Sequence, residues 1–252
     1  YSTAAGPTAT NTTTPIPPTA TNTPVNTDTP TAVPPTATNT TTPIPPTATN
    51  TPTNTPTASG NTTTLEVRVA ASSDDAEESA SGSMSLTSSD LELVYDGSNQ
   101  TVGLRFNGIT IPQGATIVNA YVQFQVDEAQ SEVTALTIQG QAVDNATTFA
   151  STSRNISSRA RTAASAPWSP VAWTTVNATG PDQRTPNLAA IIQELVNRSA
   201  WASGNSLAII ITGTGHRTAR AYDGVPAAAP LLHVDYSTAA GPTATNTTTP
   251  IP

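Results

Sequence analysis

Four carboxylates fall within five residues at Asp74, Asp75, Glu77 and Glu78, and Asp90, Glu92 and Asp96 follow downstream. Oxygen donors in that density suit a hard cation, since Ca²⁺ gathers six to eight oxygen ligands. Calcium is thus the ion the sequence offers, at Asp74, Asp75, Glu77 and Glu78, although no cofactor is required. The spaced D-x-D-x-D-G loop of an EF-hand is missing, and a solvated acidic loop is the plainer expectation because charge runs usually face water. Arg217 and Arg220 are candidate bidentate partners for these carboxylates. Among the aromatics, Trp173 and Trp201 read as core. Trp168, between Pro167 and Pro170, reads as exposed and is the candidate for stacking on a sugar. His216 and His233 are the only histidines. Neither stands in a G-x-S-x-G or H-E-x-x-H setting, so the sequence predicts no enzyme and no catalytic residue.

The elements that must position these groups are mostly strands. Leu65, Val67 and Val69 alternate with Glu66 and Arg68, and Val118, Ala120, Val122, Phe124 and Val126 alternate with polar neighbours. Period-two patterning of this kind marks half-buried strands. Further strands are expected at Leu91–Tyr95, Thr101–Ile109, Val133–Ala142, Val171–Val176, Leu207–Thr212, Thr218–Tyr222 and Leu231–Tyr236. Asp96-Gly97, Pro112-Gln113-Gly114 and Asp223-Gly224 supply turns. One helix is expected, capped by Thr185 with Pro186 at its first position. Leu188, Ile191, Ile192, Leu195 and Val196 form its apolar stripe, and Glu194 and Arg198 are spaced for a surface pair. The expected fold is all-β, a jelly-roll-like β-sandwich with one short helix closing one end.

Residues 1–62 obey different physics. They hold 24 Thr and 13 Pro, with Asp28 as the only charge, too little apolar matter to form a core. The segment Pro7–Pro24 returns unchanged at Pro35–Pro52. Proline fixes φ and biases its predecessor to extended backbone, so the stretch favours polyproline II, rising ~3.1 Å per residue. A disordered linker and a mucin-like stalk both fit such composition. On the stalk reading, the candidate O-glycosylation sites are Thr8, Thr10, Thr12, Thr13, Thr14, Thr19, Thr21, Thr23, Thr36, Thr38, Thr40, Thr41, Thr42, Thr47, Thr49 and Thr51. N-x-[ST] sequons stand at Asn11, Asn39, Asn61, Asn99, Asn145, Asn155, Asn177, Asn197 and Asn246, a number that a Thr-rich chain reaches by chance.

The first seventeen residues, Tyr1–Pro17, recur letter for letter as Tyr236–Pro252, at an offset of 235 residues. Self-similarity at a fixed period signals an array, and this period fits a domain plus its connector. The reading is therefore a stalk over residues 1–62, a sandwich over 63–236, and the start of the next repeat's stalk over 237–252. The lack of an initiating Met and of a leader is what a piece of something longer would show.

Charge and composition narrow the partners. The net charge is −8, all nine basic residues are Arg, and there is no Lys. So acidic a chain is a poor ligand for phosphate backbones, whose affinity comes from released counterions. No apolar run reaches the ~20 residues of a membrane span. Cysteine is absent, which removes disulfides and thiolate metal sites and fits a bacterial surface protein.

The segment VGLRFNGITIPQGATIVNAYVQFQVDE, Val102–Glu128, resembles the centre of DNRLRE-type domains, carbohydrate-binding-like β-sandwiches of bacterial secreted proteins. In those an LRF strand precedes an IPxGAxI turn and a long strand. Ser203–Gly215, Arg220–Gly224 and Ala228–Tyr236 extend the likeness, which covers Thr64–Tyr236 and none of the Thr/Pro region. The resemblance implies a structural or sugar-binding module of a multidomain surface protein and implies no enzyme.

Together these features predict a structural repeat unit of an extracellular or cell-surface glycosylated filament or sheath. Its partners would be covalently linked neighbouring repeats and covalent glycans, without nucleic acid. A carbohydrate-binding or adhesin module is the alternative.

Overall fold

The computed structural model describes residues 61–238. The chain divides into two units, Tyr1–Thr53 and Asn54–Pro252, and every described residue belongs to the second. The expected polyproline stalk and all sixteen candidate threonines from Thr8 to Thr51 lie outside the described residues. The stalk expected after Tyr236 is described only as far as Thr238.

Thirteen strands and one α-helix make up the described unit. The strands are β1 (Thr62–Arg68), β2 (Asp75–Ser79), β3 (Met84–Ser85), β4 (Asp90–Glu92), β5 (Tyr95–Asp96), β6 (Ser98–Ile109) and β7 (Thr116–Gln123). They continue as β8 (Val126–Glu128), β9 (Ala135–Gln141), β10 (Arg161–Trp168), β11 (Asn205–Thr214), β12 (Thr218–Arg220) and β13 (Leu231–Ser237). Helix α1 spans Ala189–Val196. All named pairings are antiparallel. A large sheet runs β10-β9-β11-β6-β2-β3, with β5 also paired to β6. Two three-stranded sheets run β1-β13-β7 and β4-β12-β8. The expected all-β, sandwich-like fold is what the chain adopts.

The main core draws on all three sheets and the helix. Leu104 and Phe106 of β6, Ile209 of β11, Val122 of β7 and Leu232 of β13 are fully buried in it. The apolar stripe of α1 packs there too, and the helix touches β7 of one sheet and β9 and β10 of another, closing the sandwich between them. The unbroken run Leu207–Ile211 has no alternation because β11 is covered on both faces. Ala208 and Ile210 look the other way, into a second, small core with Ala76, Ala146, Phe149 and Ile156. Gly103 on β6 is obligatory there, since a Cβ would lie 2.5 Å from the Phe149 ring.

Several expectations need correction. Val118 is 52 % exposed although Ala120, Val122, Phe124 and Val126 are buried. The pairing of β13 with β7 jumps from Asp235↔Asn119 to Tyr236↔Ile117, and this bulge turns Val118 outward while Ile117 takes the core position. Val171–Val176 is not a strand; its one strand-like pairing among the described residues is the isolated bridge Gln130↔Trp173. Strands β2, β3 and β10 were not foreseen, the last containing Pro167, a residue that marks a sheet edge. Helix α1 starts later than expected, and Thr185 does not cap it. The Thr185 hydroxyl instead accepts from the Val122 amide at 3.0 Å, while Asn187 Oδ1 accepts from Ala189 N–H at 2.8 Å. Glu194 and Arg198 do not pair with each other. Glu194 accepts the amides of Ala163 and Ala164, and Arg198 binds Asp144 at 2.8 Å.

Candidate functional site

The acidic run is not a solvated loop. It leads into and forms strand β2, and Asp74, Asp75, Glu77 and Glu78 are all buried, none more than 4 % exposed. Alternation splits them between two faces of the sheet. On the side of the small core, Asp74 accepts Arg105 Nη1 and Asn107 Nδ2, both at 2.6 Å, while Glu78 Oε2 accepts the amides of Ile156 and Ser157 at 2.7 and 2.8 Å. On the opposite side, Asp75 accepts the Tyr222 amide at 2.8 Å and Glu77 accepts the Glu92 amide at 2.7 Å. The four proposed calcium ligands therefore do not converge. Among the described residues no three His, Cys, Asp or Glu side chains gather to hold a metal ion.

Each carboxyl instead joins β2 to a distant part of the chain. Arg105 completes one such node, since its guanidinium also donates to Ala146 O at 2.7 Å and Ser206 Oγ at 3.0 Å. The expected cationic partners do other work. Buried Arg217 donates to the carbonyls of Val171 and Pro170 and to Thr134, and Arg220 pairs with Asp127. Arg105 lies 31 residues along the chain from Asp74, so no local pattern reveals this pair.

The environment sets the protonation of the second pair. Burial pushes the Asp75 carboxyl up to about 7 despite the Tyr222 amide, and Asp223 and Asp74 add to the rise. Burial also raises Glu77 far above the carboxylate range, helped by the hydrogen bond that the protonated Glu77 donates to the Glu92 carboxylate and by the charge of that carboxylate. Glu77 and Glu92 line a cleft of about 260 Å³ together with Ser79, Ser83, Ser85, Ser88, Asp96 and Gln100. Gln100 Oε1 is buried and has no hydrogen-bond partner among the described residues. The cleft can donate and accept hydrogen bonds through hydroxyl and carboxyl groups.

Trp168 does not offer a sugar platform. It is 7 % exposed, because its place opposite Leu136 on β10 turns the ring inward onto Phe124, with centroids 5.8 Å apart and planes nearly parallel. Trp173 and Trp201 are core as expected, their indole N–H groups donating to Asp182 O and Ile111 O.

A second polar constellation lies on the outside of the β1-β13-β7 sheet, where Glu66, His233 and Tyr121 stand in register across three strands. His233 stacks on Tyr121 at 4.6 Å, with Glu66 Oε1 3.0 Å from its Nδ1 and Asp235 Oδ2 3.2 Å from its Nε2. Arg184 lies over the Tyr121 ring at 4.6 Å. The Thr64 hydroxyl, donating to Asp235 at 2.6 Å, holds that carboxyl below its ordinary range, with His233 and Asn119 assisting. His216, at the other histidine position, contacts Gln130 and Thr218. Of the described sequon asparagines, Asn145, Asn155, Asn177 and Asn197 accept internal hydrogen bonds, and all but half-buried Asn155 are exposed, Asn61 and Asn99 included.

No protein-family model matches the chain, and no curated protein matches it.

Proposed function

We propose that this chain is a structural repeat of an extracellular, glycosylated filament or sheath, in which sandwich beads alternate covalently with Thr/Pro-rich stalks. One observation carries the reading: the identity of Tyr1–Pro17 with Tyr236–Pro252. Tyr236 is the last core residue of β13, so the recurring segment starts where a bead ends. A chain that closes a bead and runs on as Tyr-Ser-Thr-Ala-Ala-Gly-Pro is repeating its own connector. The stalk sets spacing, and sugars on its threonines hold water and shield the backbone from proteases. The bead's titratable groups serve as internal ties, so the unit works by stability and needs neither catalysis nor a bound ion. The likeness to DNRLRE-type domains fits a surface-protein module of this kind.

Denaturing gels of native material test the covalent array. Material far above the single-repeat mass supports it; a discrete band at that mass from undegraded material overturns it. Glycopeptide mass spectrometry across Thr8–Thr51 tests the sugars, and an unmodified peptide mass there would remove them from the reading. The carbohydrate-binding alternative has the serine-lined cleft in its favour, because hydroxyl and carboxyl groups hydrogen-bond sugars. Shifts of the Ser83 and Ser85 amide signals on titration with glycans would support it.

A further inference from the structure

The two strands that connect the bead to the rest of the chain are direct neighbours. β1 pairs antiparallel with β13 from Thr62↔Ser237 at one end to Arg68↔Leu231 at the other. The chain thus enters at Thr62 and leaves at Ser237 from the same end of the bead, across one strand spacing of ~5 Å. Among the described residues β1 pairs with β13 alone. The far edge of the same sheet is sealed differently: β7 takes hydrogen bonds from the amides of Thr185 and Leu188, and its own amides are met by Thr185 Oγ1 and Asn187 Oδ1.

We propose that the bead is a store of hidden length that opens from the β1–β13 seam when the chain is under tension. Pulling on Thr62 and Ser237 separates two strands from their common end, so each rung bears the load in turn. Pulling the same strands from opposite ends would load all rungs together. The side-chain ties lie along this seam as well: Thr64 to Asp235, Glu66 to His233, and Arg68 to the Ala229 carbonyl. Once β1 leaves, Leu65 and Val67 no longer cover the core, and β13 with Leu232 and Val234 becomes the next edge. The 176 residues from Thr62 to Ser237 then extend to ~600 Å at ~3.4 Å per residue. A fully extended stalk of 62 residues is ~190 Å long. Opening one bead would therefore lengthen a repeat about four-fold, while a folded bead adds only a strand spacing to the tethered length. The role in a fibre rests on the tandem-array reading; the seam mechanics do not.

The chain has no cysteine, so introduced pairs give unique handles for single-molecule force measurements on the whole chain. Asn61→Cys with Thr238→Cys loads the seam from its common end. Asn61→Cys with Val225→Cys, or with Glu128→Cys as a second far-end handle, loads it lengthwise; all four positions are exposed. The expected result is an opening force for the first pair below half that of the far-end pairs, with a gain of ~600 Å. Adding Thr64→Val to the first pair should lower the force further. Equal forces in the two geometries, or a gain far short of that length, would overturn the proposal and leave the array untouched. A single-repeat band on the gel would end the array and leave the seam result standing.

Discussion

The same residue type lives under opposite rules in two regions of this protein. On β2, carboxyls are buried in the sheet, and desolvation lifts Asp75 to about 7 and Glu77 higher still. On the outer face of β13, Asp235 is held below its usual value, first by the Thr64 hydroxyl and then by His233 and Asn119. Desolvation outweighs one donated amide in the first region, and several donors outweigh slight burial in the second. Carboxyls of the first kind make the bead sensitive to pH and to loss of a partner. Those of the second kind fasten a seam and add little to overall stability.

The largest break in this contrast should come at Asp74. Asp74→Ala leaves Arg105 in the protein with its charge partner removed, and such losses cost about 3–5 kcal/mol. Urea unfolding would measure it, and a loss under about 1 kcal/mol would show that water compensates Arg105. Phe124→Ala should cost about 3–5 kcal/mol as well, since its ring is 1 % exposed between Trp168 and Trp173. Val118→Ala, on β7 just before it, should stay within about 0.5 kcal/mol. Comparable losses at the two positions would mean that the bulge is absent in solution.

The pH dependence is next in size. Asp75 and Glu77 have folded-state pKa values above their unfolded ones, so the folded bead binds more protons than the unfolded chain. The stability they contribute is complete below about pH 4, is lost as pH rises through about 7 for Asp75, and keeps falling above that for Glu77. The melting temperature should accordingly drop by several degrees between pH 5 and pH 8. Asp75→Asn with Glu77→Gln should flatten that slope; an unchanged slope in the double variant would assign it elsewhere. Asp235 has the opposite sign, contributing above its unfolded pKa and losing that contribution as pH falls through its lower folded value. The smallest effect belongs to the outer seam. Thr64→Val should cost less than about 1 kcal/mol, as expected for a tie at the surface, and a larger loss would place Thr64 among the core determinants.

The candidate site shows where sequence reading stops. A dense run of Asp and Glu reads as solvated because, locally, water is the only partner in view. The partners that bury it are far away along the chain: Arg105 lies 31 residues from Asp74, Ile156 is 78 from Glu78, and Tyr222 is 147 from Asp75. Trp168 misleads for a related reason. Flanking prolines suggest a loop, but pairing with β9 makes the segment an edge strand with an inward ring.

What the sequence determined alone was whatever repeats at short range or by identity. Alternation located β1, β6, β7, β9 and β13, the apolar run Leu207–Ile211 marked β11, the 3.6-residue stripe located α1, and Tyr1–Pro17 recurs at an offset of 235 residues. These signals are local because a strand or helix with one greasy face records that face in its own residues. Tertiary structure decided which acids are buried, where the Val118 bulge turns a side chain outward, and that the bead's entrance and exit are strand partners. Those outcomes depend on desolvation and on pairing between segments up to 175 residues apart, as at Thr62 and Ser237, and no stretch of residues encodes its distant neighbour.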